Sequence, residues 1–212
     1  MDVYEAIRAR RTTRTFSARM IEDAVLERVL DAGLRAPSND HMRRWEFVLI
    51  DDRDLRSRLV GDMSQGRSTD EAAAVVEAMG LGDEAARGMY RDAIPKQARM
   101  LLDCARLVVP CFRQKSPLSE ARGLQDLNGL ASIWCCVENV LVAAASEGVQ
   151  GVTRIPSDDE LARLRNLLAI PDDYAIACWL ALGYPDEEDG GRIVQHFPDV
   201  RDRIRTNGWL VG

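Results

Sequence analysis

The chain has 212 residues, 46% of them hydrophobic, which suffices for one large domain with a full core or for a domain that carries an excursion. Its net charge of −6 argues against general binding to nucleic acid or to an anionic membrane. No apolar run approaches the roughly 20 residues of a membrane span. Because the first residues also lack the apolar stretch of a signal peptide, we expect a cytoplasmic protein.

The first half of the chain predicts mostly helices. In residues 20–36, apolar side chains recur on one helical face, and Pro37 ends the pattern. Residues 45–51 are typical of a buried strand. Further helices are expected over residues 2–9, 54–63 and, with breaks at Gly80, Gly82 and Pro95, 69–104.

The second half predicts three more strands, at residues 106–112, 149–153 and 174–185, the first of them weakened by Pro110 in its later part. Residues 119–148 read as one long helix that is apolar nearly all round from Leu130 to Ala145. Such a helix must be buried in a core or against another subunit. A capping box of Ser157 and Glu160 opens a further helix over 157–168.

The predicted helices and strands of both halves together favour a single α+β domain over 1–212, with an excursion at about 60–95. The expected sheet has three or four strands and lacks a regular βαβ rhythm. Because the sequence contains neither GxGxxG nor a P-loop, it does not predict a Rossmann dinucleotide domain. The polar tail from 186 onward contains aromatic residues and cannot form a core alone, so it should wrap around something.

The five cysteines lie in apolar surroundings and form no CxxC, and their spacing fits no zinc pattern. We therefore expect buried small hydrophobic residues and no metal site. The cysteines are Cys104, Cys111, Cys135, Cys136 and Cys178.

An arginine-rich stretch near the N-terminus stands out in this acidic chain. Guanidinium groups bind phosphate bidentately, and threonine hydroxyls add donors, so the stretch is either an anion site or a solvated basic patch. It contains Arg8, Arg10, Arg11 and Arg14, with Thr12 and Thr13 among them.

The loop "APSNDHMRRW" over residues 36–45 is the second candidate site. It is richer in polar groups than a plain connection between a helix and a strand requires. His41, one of two histidines, lies two residues from Arg43. A ligand contact and an ordinary packing or surface role both remain open for this histidine.

Four segments, taken in order, resemble the nitroreductase family of FMN-dependent oxidoreductases. They span nearly the whole chain, and their agreement in order is far more specific than any one of them. The segments are "RRTTRTF" (10–16), "AGLRAPSNDHMRRWEFVLI" (32–50), "LVAAASEGVQGV" (141–152) and "LLAIPDDYAIACWLALGYP" (167–185).

The resemblance implies an α/β/α sandwich with a small mixed sheet, and a homodimer that binds one FMN at each of two interface sites. The long helix would pack on its mate, and the tail from about 186 to 212 would embrace the partner. Residues 60–95 would form a lid over the site.

The resemblance also implies roles for individual residues. The N-terminal motif would bind the FMN phosphate, and the tail arginines would add further positive charge there. Arg14 would lie near flavin N1. The Pro-Ser-Asn loop would lie along the ring's pyrimidine edge, the backbone of 153–155 would face N5, and Gln97 would contact the ribityl chain or the ring. The implied cofactor-binding residues are Arg10, Arg11, Thr12, Arg14, Pro37, Ser38, Asn39, His41, Gln97, Thr153, Arg154, Ile155, Arg203 and Arg205.

Two departures from the family pattern bear on the substrate. The family loop commonly continues Asn-x-Gln-Pro-Trp, whereas this chain has His41, Arg43 and Arg44 before Trp45. Pro156 stands where another amide toward N5 is expected, and proline has no N–H. We hypothesise that the added positive charge favours an anionic substrate or raises the flavin potential.

The resemblance implies hydride transfer from NADH or NADPH through flavin N5 to a small organic acceptor, such as a nitro compound or a quinone, in ping-pong turnover. No catalytic side chain is required, because the flavin carries the chemistry. Three alternatives stay open: a dehalogenase or flavin-modifying branch of the same fold, a flavin sensor or store that is not a reductase, and a cofactor-free helical interaction protein.

Overall fold

The computed structural model describes residues 1–61, 68–114, 116–186 and 197–209. Single-turn 3-10 helices occur at Leu118–Glu120, Leu124–Leu127 and Val200–Arg203. The other elements, in chain order, are α1 Val3–Ala9, α2 Asp23–Leu34, β1 Trp45–Leu49, α3 Arg53–Val60, α4 Thr69–Ala78, α5 Glu84–Asp103, β2 Arg106–Arg113, α6 Asn128–Ser146, β3 Gln150–Arg154, α7 Asp158–Leu168, β4 Tyr174–Ile176 and β5 Trp179–Gly183.

The sheet has the strand order β1-β2-β5-β3, with β4 also pairing with β2. In the described part of the chain it has five strands where three or four were predicted, because the segment expected as one strand at 174–185 divides into β4 and β5. All the strand pairs are antiparallel. Among the described residues the sheet is therefore antiparallel, whereas the resemblance implied a mixed sheet; an isolated parallel bridge joins Thr12 to Gly151 at the edge of β3.

Helices cover both faces of the sheet, which confirms the α/β/α sandwich. On one face, α1 and α2 pack with α6, and the core there includes Val29, Ile133 and Val140. On the other face, α3 packs with α5 and α7 around Leu59 and Leu164.

The contact between α2 and α6 depends on a glycine. A Cβ at Gly33 would lie 2.5 Å from Val140 Cγ2, so only glycine lets the two helices come this close. The opposite face of α6, which includes Cys135 and Glu138, is exposed. The expectation of burial thus holds for one face of α6 within a single chain.

Residues Leu124–Ser146 are long and apolar enough to cross a membrane by length and composition alone, contrary to the expectation from the sequence. One face of α6, however, is buried in the hydrophobic core beside α2. A core helix passes the same composition test as a membrane span, so this segment is weak evidence for membrane insertion.

Two predicted helices differ in the structure. The helix expected from 119 begins only at Asn128, because Gly123 and a bond from the Arg122 N–H to the Asp126 carboxylate favour a local turn. The break expected at Pro95 is absent, and α5 runs through it. Pro95 removes only the hydrogen bond to the carbonyl of exposed Arg91, where water can replace the lost donor.

Pro110 lies within β2 and does not end it. Before this residue β2 pairs with β5, and beyond it β2 pairs with β4. The proline therefore stands where the ladder changes partner, and its carbonyl still accepts from the Ala177 N–H at 2.9 Å.

The predicted excursion at 60–95 contains α4 and the first half of α5, while residues 62–67 lie outside the described residues. The two helices pack together around a small cluster of Ala72, Val76 and Ile94, separate from the two main cores. A lid role for this region stays a prediction.

The cysteines behave as predicted with one exception. Cys104, Cys111, Cys136 and Cys178 are buried, and burial raises the pKa of each thiol to about 12. Cys135 is exposed on α6, so the expectation that it is buried was wrong for a single chain. Adjacent helical residues point about 100° apart, which separates it from Cys136.

Candidate functional site

The arginine-rich stretch lies along the free edge of β3. The Thr13 N–H donates to the Gly151 carbonyl at 3.1 Å, next to the parallel bridge of Thr12 with Gly151. The buried side chain of Gln150 fastens the same stretch, since its Oε1 accepts from the Arg11 N–H at 2.9 Å and its Nε2 donates to the Ala9 carbonyl at 3.1 Å. The sequence reading missed Gln150, although a glutamine inside an apolar strand was a usable signal.

Arg14 carries a charge that the chain itself satisfies poorly. It is half-buried, and burial lowers its pKa, with only partial opposition from the charges of Asp92 and Tyr90. Within the described residues, no hydrogen bond or ion pair holds its guanidinium. A desolvated cation without hydrogen-bond partners is suited to an anionic or strongly hydrogen-bonding ligand.

The other arginines of the stretch are more exposed or already engaged. Arg8 is exposed at the end of α1. Arg10 makes a loose ion pair with Glu138, Nε to Oε1 at 3.6 Å. Because Glu138 is itself exposed, this pair contributes little to stability, and Arg10 can exchange it for an anion.

The end of β3 is held by a polar cluster that sequence reasoning anticipated only in part. Arg154 Nε donates to Gln97 Oε1 at 3.1 Å, and Nη2 donates to Glu160 Oε1 at 2.9 Å. Burial opposes the charge on Glu160, but the hydrogen bond from Arg154 and the N–H of Ser157 outweigh it and lower the carboxyl pKa. The side chains of Gln97 and Arg154 thus bind each other, and Glu160 joins them.

The loop at 37–45 adopts a strained conformation. His41 and Arg43 both have positive φ, 56° and 46°, which costs non-glycine residues of order 1 kcal/mol each. Hydrogen bonds hold the loop: the Asn39 N–H donates to Ser132 Oγ of α6 at 3.2 Å, and the His41 N–H donates to the Ser38 carbonyl at 3.2 Å. Pro37 and the His41 side chain are exposed.

Beside this loop lies a cavity of about 980 Å³. Ser38 and Asn39 line it together with Arg44, whereas Arg43 turns back to the loop's own carbonyls. The remaining lining residues are Asp40, Trp45, Phe112, Arg113, Gln114, Ser116, Gln125, Asp126, Asn128, Gly129, Ser132 and Asp173.

The predicted site residues therefore form two groups in one chain. The first, called here the edge group, lies along the free edge of β3. It comprises Arg10, Arg11, Thr12, Arg14, Gln97, Thr153, Arg154 and Ile155. The second, the loop group, comprises Pro37, Ser38, Asn39 and His41. Of these, Ser38 and Asn39 line the cavity, and Pro37 and His41 do not; the described cavity wall includes no residue of the edge group. Both groups contact α6, at Glu138 and at Ser132, positions about 9 Å apart along the helix axis.

The tail arginines belong to neither group in the single chain. Arg205 Nη1 donates to the Asp202 carbonyl at 2.8 Å, and its guanidinium lies 5.7 Å from the Trp209 ring centroid. Within the described residues, no hydrogen bond or ion pair joins Arg203 or Arg205 to the edge group. Residues 187–196 and 210–212 of the predicted arm lie outside the described residues.

The part of the chain that the structure describes contains no group of three or more His, Cys, Asp or Glu side chains placed to hold a metal ion. Arginine, which binds anions, dominates the charged side chains of the edge group, whereas the cavity wall contains the carboxylates of Asp40, Asp126 and Asp173 beside Arg44 and Arg113. The arrangement therefore suits an anionic organic ligand: the edge group offers arginines and threonines for a phosphate, and the cavity is large enough for a ring system.

Comparison with known proteins identifies relatives along the whole chain. The sequence model described as "Nitroreductase family" matches residues 7–184. A protein of Archaeoglobus fulgidus, provisionally named an NADH dehydrogenase/NAD(P)H nitroreductase, is 26% identical over 206 residues, 96% of each chain. The 5,6-dimethylbenzimidazole synthase of Rhodobacter capsulatus is 24% identical over 97% of this chain and 89% of its own length.

Solved structures share the fold. The crystal structure of an oxidized iodotyrosine deiodinase bound to FMN and 3-iodo-L-tyrosine superposes with a TM-score of 0.72 at 18% identity, covering 98% of this chain and 100% of that one. At this identity the likeness concerns the fold.

Proposed function

The chain belongs to the nitroreductase family and is an FMN-dependent oxidoreductase, and we propose that it reduces a small organic acceptor at the expense of NADH or NADPH. The chemistry that the flavin supplies when bound is hydride transfer through N5, from the nicotinamide to a nitro compound, a quinone or a related acceptor, in ping-pong turnover. The observation that carries the proposal is the half-buried Arg14, which no hydrogen bond of the described chain satisfies, beside the free edge of β3.

The edge group supplies charge for the cofactor. Arg10, Arg11 and Thr12 hold the phosphate, and Arg10 gives up its loose pair with Glu138 to do so. Arg14 would stabilise negative charge near N1 of a reduced flavin, because a fixed cation there favours the reduced form.

The loop group closes the other side of the cofactor. Pro37, Ser38, Asn39 and His41 would bind the pyrimidine edge of the flavin ring, and the cavity beside them would accommodate the nicotinamide or the acceptor. The two groups do not share a cavity in the described chain, and we propose that a second copy of the chain completes the site between them.

The surfaces that one chain leaves uncovered support the proposal of a homodimer. Val3, Tyr4 and Ile7 of α1 are exposed, as is the face of α6 that contains Cys135. Exposed apolar side chains concentrated on neighbouring helices are typical of an interface. The tail, with exposed Phe197 and Trp209 and with Arg203 and Arg205, wraps the partner and adds phosphate contacts.

The proposed chemistry requires no side chain to act as an acid, base or nucleophile, because the flavin supplies it. The residues of this chain bind and orient the cofactor, and the cavity wall limits the acceptor's size. We place the enzyme in the cytoplasm, without a nucleic-acid or membrane partner.

The test is the absorbance spectrum of the purified protein, followed anaerobically during addition of NADH or NADPH. Flavin bands that bleach, and that return when a nitroaromatic compound or a quinone is added, support the proposal. Bands that persist with both nucleotides would point to a flavin-binding protein that is not a reductase, and a failure to bind FMN would overturn the proposal altogether.

The synthase and the deiodinase among the relatives show that other reactions occur on this fold. Two further assays separate those branches from a reductase. Halide release from a halogenated phenol under reducing conditions indicates a dehalogenase. Loss of the flavin itself when the reduced protein meets oxygen indicates a flavin-modifying enzyme.

A further inference from the structure

The hydrogen bonds at the end of β3 leave few amides available to a ligand. Gly151 turns its carbonyl outward to Thr13, so alternation along the strand turns the backbone of Thr153 the same way, while Val152 and Arg154 face β5. In the described chain no bridge to the N-terminal stretch continues beyond Gly151.

Pro156 and Ser157 offer a ligand no further backbone N–H. Pro156 has no N–H. The Ser157 N–H donates to Glu160 Oε2 at 2.9 Å, as the capping box of α7 requires. Between 153 and 157, therefore, only the N–H groups of Thr153 and Ile155 lack a hydrogen-bond partner among the described residues and can face a ligand at the edge of β3.

One carboxylate fixes both ends of this short segment. Glu160 accepts from the Arg154 guanidinium on one side and from the Ser157 N–H on the other. The exposed fractions of the Arg154 and Glu160 side chains are only 17% and 8%. Gln97 of α5 holds Arg154 from a third direction.

We propose that Glu160 is a positioning residue for the flavin N5 contact: through Arg154 and Ser157 it clamps the turn at Ile155–Pro156, and so orients the N–H groups of Thr153 and Ile155. This inference rests on the proposed FMN site. Glu160 itself touches neither cofactor nor substrate. An additional amide toward N5 would itself help to fix this turn, but Pro156 has none. The clamp supplies that constraint instead.

The clamp predicts an effect confined to one side of the flavin. Glu160→Gln keeps an oxygen acceptor but removes the charge that orders the Arg154 fork, so the turn gains freedom. The contacts at the phosphate and at Arg14 come from the N-terminal stretch, which does not depend on Glu160. FMN should therefore still bind, with a changed environment at N5 and an unchanged one at N1.

The experiment is ¹⁵N NMR of the full-length protein loaded with ¹⁵N-labelled FMN, compared with Glu160→Gln. The matched control is Asp159→Asn, which removes the neighbouring exposed carboxylate from the same turn of α7. A double variant, Arg154→Leu with Glu160→Leu, removes the clamp without leaving a buried charge unpaired, which keeps the test valid if the single variant folds poorly.

We expect the N5 resonance to move in Glu160→Gln and in the double variant, the N1 resonance to stay, and both to stay in Asp159→Asn. The rate of flavin reduction by NAD(P)H should fall at least severalfold in the first two proteins, with FMN affinity within about threefold of the wild type. An N5 resonance unchanged in the double variant overturns the clamp while leaving the FMN site intact. A wild-type protein that gives no bound-flavin resonances overturns both the clamp and the proposed function.

Discussion

Arg43 Nε donates to the carbonyl of Ala36 at 3.2 Å, so the guanidinium closes the loop on itself. A second bond, from Nη1 to the His41 carbonyl at 3.1 Å, completes the closure. Both His41 and Arg43 have positive φ, and these bonds offset the strain. Of the two adjacent arginines, Arg43 therefore shapes the loop, and Arg44 is the one that lines the cavity.

The two arginines should respond differently to substitution by glutamine. Arg43→Gln should lower the free energy of unfolding by about 1–2 kcal/mol, because charge-assisted bonds to buried or strained carbonyls are lost. Arg44→Gln should leave stability within about 0.5 kcal/mol, because its side chain is exposed, and should raise KM for anionic acceptors more than for neutral ones. Urea unfolding and steady-state kinetics with a matched acid and amide acceptor measure both effects. The reverse pattern would show that Arg43 is the substrate contact.

Arg14→Ala should weaken FMN binding at least tenfold, which corresponds to about 1.4 kcal/mol. The reason is that Arg14 is half-buried and makes no hydrogen bond within the described chain, so its interactions are available to the cofactor. Arg8→Ala, an exposed arginine of the same stretch, is the control and should change affinity little. Fluorescence titration of the apoprotein with FMN gives the comparison. An Arg14→Ala protein that purifies fully loaded would contradict the assigned role.

Local patterns predicted much of this fold. The capping box of Ser157 and Glu160 forms as expected, because it depends on residues three positions apart. The division between β4 and β5 and the late start of α6 were missed. Each depends on partners distant in sequence or on a local turn that competes with apolar periodicity.

Less of the candidate site than of the fold could be predicted from the sequence. The family motif pointed to Arg14, but only the fold shows that its guanidinium is half-buried without a hydrogen bond. The clamp on Arg154 combines Gln97 of α5 with Glu160 of α7, residues 57 and 6 positions away along the chain. No pattern in the sequence joins α5 to the end of β3, so this cluster could not be found before the helices were placed.

The buried thiols predict a loss of stability at alkaline pH. Their pKa is raised from an ordinary 9.0 to about 12 in the folded chain, so the unfolded chain releases these protons first. Stability is full below pH 9 and falls as pH rises from 9 to 12, by about 1.4 kcal/mol per pH unit for each buried thiol. The double variant Cys104→Ala with Cys178→Ala should show a shallower decline in urea unfolding between pH 9 and 11. Exposed Cys135→Ala is the control, and equal slopes in all three proteins would refute the explanation.

The proposed dimer can be tested on the exposed face of α6. Cys135→Glu places a charge there and should convert the dimer to a monomer in analytical ultracentrifugation, with loss of bound FMN. Ala162→Glu adds the same charge to an exposed position of α7, in the opposite layer, and should leave the dimer intact. If both variants remain dimeric and keep FMN, another surface forms the interface. If the wild type is itself a monomer that binds FMN, one chain contains the whole site.

Acid should weaken the structure through Glu160. Burial opposes the charged form of this carboxyl, but several favourable interactions, among them the hydrogen bond and charge of Arg154 and the Ser157 N–H, together bring its folded-state pKa below the ordinary 4.5. A depressed carboxyl pKa means that the unfolded state takes up the proton first, so this contribution to stability is present above pH 4.5 and is lost as pH falls through the folded-state pKa. Glu160→Gln should therefore be less stable than the wild type at pH 7, and the difference should shrink as pH falls below 4.5. Chemical denaturation of both proteins at pH 7, 5, 4 and 3, with Asp159→Asn as the control, measures the convergence. A stability gap that stays constant down to pH 3 would mean that the charge on Glu160 contributes nothing to the clamp.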